Sequence, residues 1–161
     1  MDRRLLDIYL TNHLAGATGV MHRLHRMVQN YTDLPIHEDI VDLHRQVRAE
    51  RARLARLISD LDLPHRRHQL ALARAGEVAG RLKLNGRVTS RSPLTPLVEL
   101  EALRAGVAGK LSLWQTLQAV AGELGLDAAE LVTLQQQAQE QLEVIERCHQ
   151  MMAPSAFDAQ R

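Results

Sequence analysis

A chain of 161 residues fits a single domain, since one core usually serves roughly 100–200 residues, and 45% hydrophobic with 24% charged residues excludes the disordered and low-complexity classes. No run approaches the ~18 uninterrupted apolar residues of a membrane span, and a net charge of +1 conceals a basic stretch over 66–91 and an acidic one over 123–146, which read first as solvated helix faces attracting one another. Aromatic residues amount to only 2%, so the core must be aliphatic, and the abundance of Leu and Ala over strand-forming residues favours an all-α fold.

In the first segment Leu6, Leu10, Ala17, Val20, Leu24, Met27 and Tyr31 recur at spacings of three and four, with His13 the one polar interruption. This is the seam of an amphipathic helix about 26 residues long. Thr32, Asp33 and Pro35 break it, because proline lacks a donor and disfavours helix at the preceding residue. The spacing restarts as Ile36, Ile40, Leu43, Val47, Leu54, Leu57 and Leu61, interrupted only by Glu50. So short a link predicts an antiparallel hairpin.

Leu63-Pro64 ends the second helix, and a poorer stripe (Leu70, Ala73, Glu77, Leu84) predicts a shorter helix over 65–83. Asn85-Gly86 and then Ser90, Ser92, Pro93, Thr95 and Pro96 mark a connection over 84–95. Thr95 before Pro96 reads as an N-cap with proline at the first helical position. A fourth helix follows on Leu97, Leu100, Leu103, Val107, Leu111, Trp114, Leu117, Ala121 and Leu124, and Gly125 closes it. Asp127 with Glu130 resembles a capping box. Leu131, Leu134, Ala138, Leu142, Ile145, His149 and Met152 carry the fifth helix to Pro154. Residues 1–153 thus form one domain and 154–161 a frayed tail.

Two hairpins separated by a long connection containing a helix is the order of a ferritin-like four-helix bundle with an extra helix in its crossover. His13 and Glu50 lie about 20 and 17 residues from the turn near Asp33, so antiparallel packing brings them within about 5 Å along the axis. They read either as a hydrogen-bonded core pair or as half of a metal site. Positions of the second hairpin at their level fall near Gln115, Gln118, Gln135 and Gln136.

Glu146-Arg-Cys-His149 places a carboxylate and an imidazole on one helix side, and here the chain resembles the ferritin-like superfamily. In that superfamily two helices each give a Glu and the other two each give Glu-x-x-His at one level. The resemblance implies His13, Glu50, Glu101, Glu146 and His149 as metal ligands, with iron or another transition metal as cofactor. The chain departs from the pattern, since Glu50 is followed by Arg53 where His belongs and the first helix offers His13 in place of Glu. The residues by themselves call for no cofactor and no catalytic group.

A second likeness is carried by Gly80-Arg-Leu-Lys-Leu-Asn-Gly-Arg87, Ser90-Arg-Ser-Pro-Leu94, Leu97-Val-Glu-Leu-Glu-Ala-Leu103 and Leu14-Ala-Gly-Ala-Thr18. These stretches are similar to an uncharacterised bacterial family of helical proteins, which implies the fold and no chemistry.

His22 with His25, and His65 with His68, are spaced as surface metal pairs but read more simply as solvated side chains. Cys148 sits near an apolar stripe and reads as packing. A lone cysteine, with no signal-peptide pattern at the start, points to the cytoplasm. The basic segment 66–91 holds seven Lys/Arg against Glu77, which would suit a polyanion, yet it has no aromatic residue to stack on bases, so nucleic acid is not the expected partner. The expectation is a non-catalytic bundle that works by binding or assembly, with a metal-dependent oxidoreductase or iron-handling protein as the alternative. Apolar residues beside the seams (Leu5, Ile8, Val28, Ile58, Leu113, Val120, Val132) predict a two-fold homodimer.

Overall fold

The computed structural model describes residues 1–63 and 92–157. The helix expected over 65–83, and the basic segment 66–91, lie outside the described residues. Helices occupy 83% of the described residues and none of these is in a strand, as an all-α fold requires.

Helix α1 spans Arg3–Asn30. Its start is set by Asp2, whose carboxylate accepts from the backbone N–H groups of Arg4 and Leu5 at 2.9 and 3.3 Å, satisfying two orphan donors. It ends at the buried Tyr31, four residues before Pro35. Helix α2 spans His37–Asp60 and has no side-chain cap, but Glu38 and Asp39 place negative charge at the positive end of its dipole. Asp62 then turns the chain with φ 50°, a left-handed conformation that Asp tolerates better than most side chains.

Helix α3 spans Leu94–Ala119. It begins before the expected Thr95 cap; the Ser92 hydroxyl instead accepts from the Leu94 N–H at 3.4 Å. Pro96 stays within the first turn, where no donor is missed. Val120, at φ −115°, interrupts the helix expected to continue to Leu124, leaving a separate single turn α4, Ala121–Leu124. Gly125, expected to close the helix, takes φ 65°, and the Leu126 N–H reaches back to the Ala121 carbonyl at 3.0 Å in a Schellman closure. Helix α5 spans Ala128–Met152, with the Asp127 carboxylate accepting from Ala129 and Glu130 N–H. Glu130 does not complete a capping box. Its carboxylate takes both Nε and Nη2 of Arg53 on α2, at 2.5 and 2.7 Å. Beyond α5, residues 154–157 form turns that bury Ala156 and leave Phe157 exposed.

Side-chain pairs give the directions of packing. Arg51 meets Thr18, so α2 returns along α1. Gln135 meets Gln118 and His149 meets Glu101, so α5 returns along α3. Tyr9 meets Thr116 while Tyr31 meets Glu99, so α3 also runs antiparallel to α1. Arg53 with Glu130 and Asp39 with Cys148 give the same relation between α2 and α5. Consequently α2 and α3 run parallel on a diagonal. Leu63, beyond the end of α2, and Ser92, before the start of α3, therefore lie at opposite ends of the packed helices.

Between them the four long helices bury a mainly aliphatic core around Trp114 and Tyr31. The approach of α1 to α3 depends on Gly106, where an added Cβ would lie 2.5 Å from Val20 Cγ2. Gly19, also helical, has open space at the same point. Gly19→Ala should therefore raise stability by about 0.5–1 kcal/mol through reduced backbone entropy. Gly106→Ala should lower it instead. Urea midpoints of the two variants check this pair, and equal gains would contradict the close approach at Gly106.

Candidate functional site

Three of the long helices each carry one polar residue into the core at the same level. Glu50 comes from α2 and is 5% exposed, and Gln141 comes from α5 and is 1% exposed. Lys110 comes from α3, and its long side chain reaches inward with its ammonium between the other two. Lys110 Nζ donates to Glu50 Oε2 and to Gln141 Oε1. Gln141 Nε2 in turn donates to Glu50 Oε1 at 2.7 Å and to Gln46 Oε1 at 2.9 Å. Both carboxylate oxygens are thereby occupied, and the pair is electrically neutral as a unit. Burial pushes the Lys110 ammonium below its ordinary pKa, and the Glu50 charge opposes that shift.

Next to this network lies a cavity of about 210 Å³. Gly16, Ala17 and Val20 of α1 and Gly106 and Gly109 of α3 line it, and among the described residues these small side chains leave the volume open. Val47 and Leu54 of α2, with Leu113 and Trp114 of α3, make most of the remaining wall apolar. Glu50, Lys110, Arg51 and His13 supply its polar edge. The Trp114 side chain is 1% exposed, and among the described residues its buried indole N–H has no acceptor.

The sequence-predicted site residues fall into two groups. His13 and Glu50 line the same cavity, as their positions along the hairpin suggested. Glu50 is satisfied by Lys110 and Gln141 rather than by His13, which is half-buried and sets its ring edge against Tyr9 at a centroid distance of 4.6 Å. Glu101, Glu146 and His149 lie elsewhere: Glu101 is nine residues from Lys110, about 13 Å along α3. His149 Nε2 is 3.4 Å from Glu101 Oε1. Arg104 Nη1 pairs with Glu146 Oε2 at 2.8 Å, off hydrogen-bond alignment. Among the described residues no three His, Cys, Asp or Glu side chains converge as a metal site needs.

The expected level was also displaced. Gln118 and Gln135 pair with each other at the exposed surface, while Lys110 and Gln141 face Glu50. Leu111 and Leu142, their apolar neighbours, mark the same stripe, so hydrophobicity alone does not single out Lys110 or Gln141. The signal was present in strict spacing, for 103, 107, 110, 114, 117 and 134, 138, 141, 145, 148 both keep the three-four alternation.

Cys148 is fully buried, with its Sγ 3.6 Å from Asp39 Oδ2. Burial first, and then the Asp39 charge, push its pKa up to about 12, so it stays a thiol and packs rather than reacts. His25 of α1 and His44 of α2 bring their rings to 5.8 Å, while His22 is exposed. The pair His65 and His68 falls outside the described residues.

Burial lowers the pKa of His13; burial, then His25 and Arg48, lower that of His44. Both groups therefore bind a proton more weakly folded than unfolded. Their contribution to stability is complete above the ordinary imidazole value of 6.5 and is lost as pH falls through their lower folded values. Urea midpoints should fall between pH 7 and roughly 5, and His44→Gln should flatten that slope. A slope unchanged in the variant would remove His44 from the account.

Comparison of the chain with protein-family models, with curated proteins and with solved structures gives no match.

Proposed function

We propose that the protein is a non-catalytic, ferritin-like helical bundle that works by binding, and that its ligand is a small apolar molecule held in the cavity beside Glu50 and Lys110. The observation that carries the reading is the cavity itself. Among the described residues this mainly apolar hollow of about 210 Å³ is left open beside a buried charge pair, the kind of site that holds a small ligand. The ferritin-like assignment is supported by two antiparallel hairpins whose linking ends, Leu63 and Ser92, sit at opposite ends of the helices, as a crossover demands. In a ferritin-like bundle the core carboxylates are neutralised by metal. Here the Lys110 ammonium supplies the positive charge that Glu50 needs, which favours binding over metal chemistry.

Toluene tests the reading directly, because the chain has one tryptophan and hence one indole N–H resonance, that of Trp114. A saturable shift of this resonance on adding toluene is expected. Its absence, with the protein folded, would overturn the proposal. Metal analysis of protein purified without chelator tests the alternative, an iron-handling protein or oxidoreductase using His13, Glu50, Glu101, Glu146 and His149. Stoichiometric iron would replace the binding reading with that one. Assembly rests on less surface than the sequence suggested, since Ile58 and Leu113 are in the core while Leu5 and Val132 are 64% and 49% exposed. We retain the two-fold dimer as the form in which the protein works, and a strictly monomeric mass by light scattering at micromolar concentration would remove it.

A further inference from the structure

Resting on the cavity as a binding site, we infer that the ligand carries an aldehyde or ketone carbonyl, which Lys110 captures reversibly as an imine. The chain contains two lysines, Lys83 and Lys110, against eighteen arginines. A guanidinium would serve the Glu50 charge equally well but cannot give up its proton, whereas an amine can become a nucleophile. Among the described residues Lys110 is the one amine on the cavity wall, and its hydrogen-bonded neighbour Glu50 lines the same wall.

The step balances without any further reagent. Lys110 Nζ passes one proton to Glu50 Oε2 along their hydrogen bond. Its lone pair then forms a bond to the carbonyl carbon as the C=O π pair moves onto oxygen, and one N–H proton transfers to that oxygen, giving a neutral carbinolamine. Glu50 returns the proton to the carbinolamine hydroxyl, the C–O bond breaks, and water leaves. The sum is ammonium plus carbonyl giving protonated imine plus water, so the adduct, like the free ammonium, places one positive charge beside the Glu50 carboxylate. That conservation selects the carbonyl class. Acylation of Lys110 would erase its charge and strand Glu50, a buried carboxylate without a cation. An engineered apolar cavity of about 150 Å³ accepts benzene, so about 210 Å³ suits an aromatic ring bearing one small carbonyl group.

Benzaldehyde with sodium cyanoborohydride, applied to the full chain at neutral pH and followed by peptide mass mapping, tests this. Reduction locks any imine as a benzyl amine. We expect the adduct on Lys110 to accumulate about tenfold faster than on Lys83, as a desolvated amine with an adjacent base should, and Lys110→Arg to abolish it. Modification of Lys83 while Lys110 stays intact would overturn the inference. Toluene, which has no carbonyl, separates the two levels of failure. Toluene bound with no Lys110 adduct rejects the imine and leaves the binding reading; neither toluene nor an adduct rejects both.

Discussion

Replacing Glu50 with alanine should destabilise the fold by about 3–5 kcal/mol, the range for removing one partner of a buried ion pair. Two effects combine. Truncation opens space among Val47, Leu54 and Gln141, and it leaves the Lys110 ammonium in the core with only an amide for company. Glu50→Leu should cost less than Glu50→Ala because it refills that space. The double variant Glu50→Leu with Lys110→Met should recover most of the loss, since two apolar side chains of similar volume replace a neutral pair. A double-mutant cycle on urea unfolding measures the coupling. Strictly additive effects would mean that the two residues do not depend on one another, and the site would lose its charge pair.

Trp114 should give the second large effect. Trp114→Ala is expected to cost about 3–5 kcal/mol, because the side chain is almost fully buried and its loss would merge with the existing cavity. Trp114→Phe should cost only about 1–2 kcal/mol. Its indole N–H has no acceptor, and a buried donor left unmade carries a penalty of about 1–3 kcal/mol that the phenyl ring does not share. Denaturant midpoints with matched m-values compare the two variants. If phenylalanine proves as damaging as alanine, the N–H has a partner after all, and water inside the cavity would be the first candidate.

Much of the fold was legible in local pattern. The breaks at Tyr31 to Pro35, the Gly125 turn and the Asp127 cap were each written into a few adjacent residues, because proline geometry, left-handed backbone and N-terminal donors are local requirements. Val120 was not, since nothing in its residue type forbids helix. The candidate site was half legible. Glu50 stood out as polar in an apolar seam, but its partners did not.

The reason lies in the 100° between successive residues of a helix. Lys110 and Leu111, like Gln141 and Leu142, sit at the edge of the same apolar arc, and hydrophobicity alone prefers the leucine. The choice is made only when α2, α3 and α5 dock, because the buried Glu50 carboxylate is costly without a cation and donors. Docking turns Lys110 and Gln141 inward and leaves Leu111 and Leu142 half-buried. The sequence by itself therefore determined the long helices, most of their ends and the buried acid Glu50. The tertiary structure alone decided what neutralises that acid, for neutralisation depends on groups about 60 and 90 residues away along the chain coming within hydrogen-bond reach.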